Sequence, residues 1–444
     1  MPAMSPVRTA VAVATGLLAV AIVAVLLLSG DGGPIGRPPA ASSAPSSSAE
    51  PDATTGPGTD ASPSATASPI AGEDEIQAML TEIEEQVLEI RGLPAPDIGP
   101  AELISREELT VELEELFAEQ YPPDARERDN RVLRAFGLLG PDEDVGELQL
   151  DLLSAQVVGF YDQTEERMVV VSDTGLDANA KITYAHEYTH ALQDAAFGLD
   201  TLETDAVGED DRGLARVALI EGDATVTMLA WALRHLSQAE LGEIGSTPIP
   251  DTADVPGWMM SQLIFPYVAG QEWILAMMSD AGASPLDPDF APVDAAFGEP
   301  PESTAQVLDY QKWVERIQPV EVELPELARS LGSGWEEVTA SSVGQATTGI
   351  VLEHFGVEAP EVGAATDGWA GDRAVVAFGP DDEFALAWRS TWETEDDAIE
   401  FESAYDAALE QLGFPALVSR EGDTVLVAHA ASEDVLRRTV EAAR

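Results

Sequence analysis

Residues 30–71 consist almost entirely of Pro, Ser, Ala, Thr and Gly, with hardly any large apolar side chain. Such a tract cannot bury enough surface to offset the conformational entropy that its ordering would cost. It predicts a flexible linker, which separates a short N-terminal segment, residues 1–29, from a body that begins near residue 72. Any globular fold therefore has to be built from residues 72–444.

The N-terminal segment contains an uncharged run, Thr9–Leu28, that is rich in Ala, Val and Leu and follows Arg8. As a helix of 20 residues it would be about 30 Å long, which matches the hydrocarbon core of a bilayer. We expect an uncleaved single-pass anchor at the cell membrane, with the N-terminus in the cytoplasm and the body outside. The alternative is a signal peptide whose cleavage leaves a secreted protein.

The charge of the chain is strongly negative, because 81 acidic residues stand against 22 basic ones, for a net charge of −59. A surface of this sign repels nucleic acid, so no nucleic-acid partner is expected. The chain has no cysteine, which excludes disulfides, thiolate catalysis and cysteine-type zinc sites. Any bound metal must therefore be held by His, Asp or Glu.

The spacing of apolar residues in the body predicts an α+β fold. Up to residue 367 it predicts a mostly helical domain with a small β-hairpin or sheet: helices at Glu73–Leu93, Arg106–Gln120, Asp124–Phe136, Asn179–Phe197, Gly213–Leu236 and Met259–Ser279 (kinked at Pro266), and a hairpin of Gln156–Tyr161 with Met168–Val171. From residue 368 to 444 it predicts a small α+β domain: strands at Arg373–Phe378, Phe384–Trp388 and Thr424–His429, a helix at Glu395–Leu412 and a final helix.

The segment with the clearest chemistry is His186-Glu187-Tyr188-Thr189-His190, inside one of the predicted long helices. Two histidines at i and i+4 lie on one helix face about 6 Å apart along the axis, so both imidazoles can reach one Zn²⁺. The carboxylate of Glu187 can then take a proton from a zinc-activated water. We therefore predict one zinc ion per chain with Glu187 as general base; the alternative is a pair of ordinary helix histidines.

A third protein ligand is expected at a catalytic zinc. Glu221 is the best candidate, because it is an acid within an apolar helical run, where a carboxylate needs a partner and a metal supplies one. A solvent-facing position is the alternative. Asp194 continues the i+4 series but lies about 12 Å along the axis from His186, which is too far for the same metal. The chain's other histidines, His235, His354 and His429, are scattered and are more often surface or packed residues than ligands.

These residues resemble the gluzincin group of zinc metallopeptidases, in which HExxH and a downstream helical glutamate hold the metal. The likeness is closest to a set of predicted exported bacterial metallopeptidases that also carry a Gly-Phe-Tyr-Asp stretch, here residues 159–162. It implies a zincin-like fold, His186, His190 and Glu221 as ligands, and Glu187 as base. Thermolysin-like members have an aspartate four residues after the third ligand, where this chain has Thr225.

Further roles are expected around this centre. The resemblance implies that a strand beside the motif helix, Met168, Val169, Val170 and Val171, binds the substrate main chain, with plain hairpin packing as the alternative. Tyr267 is a candidate for stabilising the oxyanion, with a core aromatic residue as the alternative. Asp194 or Asp223 is expected to orient a ligand imidazole, unless it forms a cap or a salt link.

Taken together, these features predict a membrane-tethered extracytoplasmic zinc metallopeptidase that hydrolyses a protein or peptide substrate. The alternative hypothesis is an exported binding module that keeps a zincin scaffold without catalysis. The presence of Glu187 argues against that alternative, because a scaffold needs no base beside the metal.

Overall fold

A computed structural model of the protein describes residues 72–156, 159–173, 175–244 and 255–444. The predicted anchor, residues 1–29, and the predicted linker, residues 30–71, lie outside the described residues. Within the described ranges no helix has both the length and the apolar character that a bilayer span requires. The prediction of a transmembrane helix and of a single-pass location at the cell membrane is corrected on this point.

The first part of the body is mainly helical. Its elements are α1 (Glu73–Arg91), β1 (Glu102–Ile104), α2 (Arg106–Gln120), α3 (Pro123–Phe136), α4 (Val145–Gln156), β2 (Gly159–Asp162), β3 (Arg167–Val171), α5 (Ala178–Phe197), α6 (Asp210–His235), α7 (Gln238–Ile244) and α8 (Gly257–Asp280). The six helices predicted for this part are all present, with ends that differ by at most three residues. Helix α8 is continuous through Pro266.

The second part contains short helices and a sheet. Its elements are α9 (Ala291–Gly298), α10 (Thr304–Leu308), α11 (Tyr310–Val314), α12 (Leu327–Leu331), β4 (Glu336–Ser341), α13 (Gly344–His354), α14 (Ala359–Thr366), β5 (Trp369–Phe378), β6 (Phe384–Trp392), α15 (Glu395–Ala408), β7 (Ala416–Glu421), β8 (Thr424–Ala430) and α16 (Glu433–Ala443).

Two sheets make this a mixed α+β protein, as predicted. The small sheet has the order β1-β3-β2, with β3 parallel to β1 and antiparallel to β2. The larger sheet has the order β4-β5-β6-β8-β7, and every neighbouring pair is antiparallel.

The long helices α5, α6 and α8 pack around a common core, to which α1 adds its apolar face of Ile76, Leu80, Ile83, Val87 and Ile90. Helices α6 and α8 approach each other backbone to backbone at two glycines. A Cβ atom on Gly222 would lie 2.4 Å from the carbonyl carbon of Gly270, and one on Gly270 would lie 2.1 Å from the carbonyl oxygen of Ala218. This contact fixes the position of α6 relative to α8 at Gly222, the residue that follows Glu221.

Both faces of the larger sheet are covered. Apolar side chains of β5, β6 and β8 pack against α12 and α16 on one face, through Leu331, Val375, Ala387, Val435 and neighbours. On the other face, aromatic side chains such as Trp388 and Trp392 pack against Phe401 and Tyr405 of α15. The sheet is therefore the middle layer of three, which explains why its central strands β5, β6 and β8 are rich in apolar residues.

The sheet region is joined to the N-terminal turn of α6 by buried polar contacts. The Asp211 carboxylate accepts hydrogen bonds from the backbone N–H and the hydroxyl of Thr304, and that hydroxyl accepts one from the N–H of Ala346 at 3.1 Å. Gly344, at a φ of +82°, lies so close that a Cβ atom there would overlap Asp211. Asp372 accepts the N–H groups of Val343 and Gly344 at 2.8 and 3.1 Å.

The predicted boundary between residues 367 and 368 divides the larger sheet, because β4 comes from residues 336–341 and pairs with β5. Sequence reasoning missed this strand because it begins with two exposed glutamates, Glu336 and Glu337, instead of apolar residues. The division of the chain into 72–367 and 368–444 stays a prediction.

Candidate metal centre

Helix α5 presents the two histidines of the HExxH motif. Its first turn is capped by Asp177, whose side chain accepts the N–H of Ala180 at 2.8 Å, and its last turn ends at Gly198 with a φ of 66°. His186 and His190 lie one turn apart with ring centroids separated by 4.7 Å, and their Nε2 atoms are 3.1 Å apart. Both imidazoles therefore direct the same nitrogen to one point.

Helix α6 brings a carboxylate to that point. The Oε2 atom of Glu221 is 3.1 Å from Nε2 of His186 and 3.4 Å from Nε2 of His190. Glu187 completes the group, because one of its oxygens lies with the two histidine nitrogens within a mutual distance of 4.8 Å. All four residues are at most 6% exposed, so their charges have to be compensated within the protein.

The electrostatics of the pair between His190 and Glu221 follow from this burial. Burial opposes the charged form of His190, but the Glu221 carboxylate outweighs it and raises the pKa of His190 above its ordinary value. Burial likewise opposes the charged form of Glu221, and the two histidines outweigh it and lower the pKa of Glu221. The site therefore favours one cation beside an ionised carboxylate.

Glu187 has one occupied and one open oxygen. Its Oε2 atom accepts the backbone N–H of Tyr161, in β2, at 3.1 Å. Its Oε1 atom is buried and has no hydrogen-bond partner among the described residues. Strand β2 thus fixes the orientation of this carboxylate and leaves its second oxygen available for a proton or a ligand.

The tautomer of His190 follows from a chain of contacts through Gln193. The amide nitrogen of Gln193 donates to the carbonyl oxygen of Ile220 at 3.0 Å and to Asp223 at 2.8 Å. Its oxygen is therefore an acceptor, and it lies 2.9 Å from Nδ1 of His190. In the neutral imidazole the proton is then on Nδ1, and Nε2 presents a lone pair to the centre.

Asp223 is held in turn by the N-terminal helix. Nε of Arg91, the last residue of α1, donates to both oxygens of Asp223, at 2.9 and 3.1 Å, and its NH2 lies 2.6 Å from Asp294. The side chains of Arg91 and Asp223 are fully buried. Asp223 therefore supports His190 through Gln193, and its role in orienting a ligand imidazole stays a prediction.

Sequence reasoning missed Gln193 and Arg91. Gln193 had a usable signal, because it lies three residues after His190 and thus on the same helix face. Arg91 had none, since an arginine at the end of an amphipathic helix reads as a solvent-facing residue, and its partner is 132 positions away in sequence.

Tyr267, on α8, lies beside the centre. Its ring stacks on that of His186 at 5.9 Å between centroids with 30° between the planes. Burial, and then the carboxylates of Glu221 and Glu187, raise the pKa of Tyr267 well above its ordinary value. Its hydroxyl thus stays protonated and able to donate.

Two of the predicted site features lie elsewhere. The oxygens of Asp194 accept the hydroxyl of Tyr161 at 3.0 Å and the N–H of Leu199 at 2.9 Å, so this side chain closes the end of α5 instead of orienting an imidazole. Met168–Val171 lie in β3, which is paired on both sides by β1 and β2 and is buried. Strand β3 has no free main-chain edge at Val169 and Val170, which favours the alternative of plain hairpin packing over the predicted binding of a peptide.

The donor set fits a zinc ion. In a tetrahedral site with metal–ligand distances of about 2.0–2.1 Å, two ligand atoms lie about 3.3 Å apart. The three atoms from His186, His190 and Glu221 are separated by 3.1, 3.1 and 3.4 Å. Two imidazole nitrogens and one carboxylate oxygen are also the ligand types of zinc sites that keep a coordination position open.

Comparison with known families gives one match: a family described as a domain of unknown function, DUF8575, matches residues 330–440. This stretch contains the five-stranded sheet and excludes the histidines and glutamates of the metal centre. Comparisons with curated proteins and with solved structures return no match.

Proposed function

We propose that this protein is a zinc metallopeptidase of the gluzincin type, with a zincin-like fold in its helical part. The observation that carries the proposal is the convergence of Nε2 of His186, Nε2 of His190 and Oε2 of Glu221 within 3.4 Å of one another. The three-stranded sheet beside the motif helix is consistent with a zincin-like arrangement. In this proposal His186, His190 and Glu221 hold one zinc ion per chain.

The bound zinc would supply a Lewis acid that acidifies water and polarises the carbonyl of a peptide bond. Glu187 would take the proton of the attacking water at its open Oε1 atom while the bond between water oxygen and carbonyl carbon forms. The same carboxyl group would then deliver that proton to the leaving nitrogen as the C–N bond breaks. The Tyr267 hydroxyl is the candidate donor to the oxygen that gains charge.

The burial of the four side chains adds a requirement. At 6% exposure or less, these groups do not meet a polypeptide in the described conformation. Hydrolysis of a peptide bond therefore requires a movement that uncovers Glu187 before the chemical step. We accordingly expect turnover to be limited by opening for folded substrates more strongly than for short peptides.

The test combines metal analysis with an isosteric variant of the base. We expect one zinc per purified full-length chain, loss of zinc in a His186→Ala/His190→Ala double variant, and cleavage of casein or a peptide library by the parent protein. Glu187→Gln should keep zinc and lose roughly 10²–10⁴-fold in rate. Glu85→Gln, an exposed glutamate on α1, is the matched control and should cleave like the parent.

The outcomes separate the two hypotheses. A Glu187→Gln protein that cleaves as fast as the parent contradicts the catalytic role of Glu187. A parent protein that binds stoichiometric zinc but cleaves none of the substrates favours the alternative of a binding module with a zincin scaffold. A folded protein without zinc contradicts both.

A further inference from the structure

A cavity of about 510 Å³ lies between α3, the N-terminal half of α6 and the strands β4 and β5. This volume is within the range of about 300–1,000 Å³ that is typical of ligand sites. Among the described residues, its lining includes none of the four side chains of the metal centre. The cavity is thus separate from the metal centre and is formed where the helical part meets the sheet.

The inner wall of the cavity is apolar. Val132 and Phe136 of α3 face Leu214 and Val217 of α6 across it. Val207, on the turn before α6, lies at its edge with 69% of its side chain exposed and continues this apolar surface to solvent. A wall of this kind favours an apolar side chain of a ligand over a fully polar molecule.

The charged groups of the lining are mostly acidic. Four acidic residues, Asp129, Asp205, Asp210 and Glu337, stand against two arginines, Arg128 and Arg373. Burial raises the pKa of Asp129 to about 7, and the carboxylate of Glu337 accepts the N–H of Ala328 at 3.3 Å.

Both of those guanidinium groups bind acceptors in the lining. Arg128 lies 3.2 Å from Asp129, and Arg373 donates to the carbonyl oxygen of Gly208 at 3.0 Å. The excess of carboxylates therefore favours a ligand with a basic group next to its apolar part.

The cavity is close to the metal centre along α6. Val217 precedes Glu221 by four residues, so the two lie one helical turn, about 6 Å, apart along the axis and on the same side of the helix. An extended peptide advances about 3.3 Å per residue. If one residue of a polypeptide is held in the cavity, a peptide bond two to four residues further along that polypeptide would thus lie level with the metal centre.

We propose that this cavity binds a segment of the polypeptide substrate in which an apolar side chain lies next to a basic one. The assignment of the segment to a substrate rests on the proposed peptidase function, whereas the binding of an apolar–basic peptide to the cavity does not. The arrangement gives the enzyme a contact with its substrate apart from the bond that is cleaved.

The test measures peptide binding without turnover. A fluorescein-labelled, capped Arg-Leu-Phe-Arg peptide is titrated into the full-length Glu187→Gln protein, with zinc and again after chelation, and its Kd is read from fluorescence anisotropy. Thr347→Phe, at a half-buried lining position of α13, fills the cavity and should raise Kd about tenfold. Glu337→Lys reverses a charge of the lining and should raise Kd about fivefold or more.

Two controls separate the cavity from the general attraction of a protein with a net charge of −59 for basic peptides. Glu336→Lys makes the same change of net charge at the neighbouring exposed residue outside the lining, and it should change Kd less than about twofold. A labelled Arg-Ser-Ser-Arg peptide keeps the charge, loses the apolar side chains and should bind about tenfold more weakly.

The proposal is overturned if Thr347→Phe leaves the Kd of the Glu187→Gln protein for the peptide unchanged. It is also overturned if Glu337→Lys and Glu336→Lys raise that Kd equally. Binding that is lost on chelation places the peptide at the metal centre and also overturns it. If the protein binds no zinc and cleaves no substrate but still binds the peptide in a way that depends on the cavity, only the peptidase function is refuted. Because Glu337 is exposed, its variant supplies the answer even if Thr347→Phe fails to fold.

Discussion

Replacing Gly222 by alanine tests whether the backbone contact between α6 and α8 holds the metal centre together. The added Cβ atom would lie 2.4 Å from the carbonyl carbon of Gly270, whereas ordinary contacts of this kind begin near 3.4 Å. The two helices must therefore separate by about 3.4 − 2.4 = 1.0 Å at this point. Glu221, the preceding residue, moves with α6.

The size of the effect follows from two opposing contributions. Overpacking of a tight core costs about 1–3 kcal/mol, and the replacement of a helical glycine by alanine returns about 1 kcal/mol through helix propensity. We expect net destabilisation by about 0–2 kcal/mol. The effect on zinc is larger, because a shift near 1 Å exceeds the tolerance of about 0.2 Å in metal–ligand distances. Zinc affinity should fall at least about tenfold.

The matched control is Gly363→Ala in α14, where the glycine is exposed and no atom lies within 4 Å of the added Cβ. This variant should be more stable than the parent by about 0.5–1 kcal/mol and bind zinc unchanged. Chemical unfolding and competition with a chromogenic chelator provide the two measurements. If Gly222→Ala gains stability as the control does and keeps the zinc affinity of the parent, the reasoning from the helix contact is refuted.

Three further predictions concern the buried polar groups. Arg91→Met leaves the Asp223 carboxylate buried without its guanidinium partner and should lower the free energy of unfolding by about 3–5 kcal/mol, measured in urea. Gln193→Leu removes the acceptor of Nδ1 of His190 and should weaken zinc binding about 10–100-fold in the chelator assay. Burial lowers the pKa of His429 to about 4 from an ordinary value near 6.5; the unfolded chain therefore binds the proton first as the pH falls, and about 3 kcal/mol of stability should be lost between pH 6.5 and pH 4. If the free energy of unfolding of His429→Gln falls as much as that of the parent protein between pH 6.5 and pH 4, the last prediction is contradicted.

The sequence was sufficient for features that depend on local pattern. The i, i+4 spacing of His186 and His190 and the apolar setting of Glu221 predicted side chains that the fold brings within 3.4 Å of one another. Helix ends were predicted closely because caps and breaks are local signals, such as Asp177 at the start of α5 and Gly198 at its end.

Features that depend on distant partners were not predictable in this way. Strand β4 carries exposed glutamates because it lies at a sheet edge, and its pairing with β5 cannot be read from its own residues. The family resemblance assigned Met168–Val171 to peptide binding, and the sequence of β3 does not show whether one or both of its edges are paired. The support of His190 by Arg91 likewise joins positions far apart in the chain, through Asp223 and Gln193.

The contact between Gly344 and Asp211 limits how the two parts of this protein can be recombined. Because any side chain at position 344 would overlap the first turn of the helix that carries Glu221, the sheet region and that helix have to change together. A foreign sheet with a larger residue at the equivalent position violates this restriction, and it also meets the φ of +82° that residues other than glycine rarely adopt. Grafting such a sheet onto this metal-binding half should fail to give a folded chimera until a glycine is restored there.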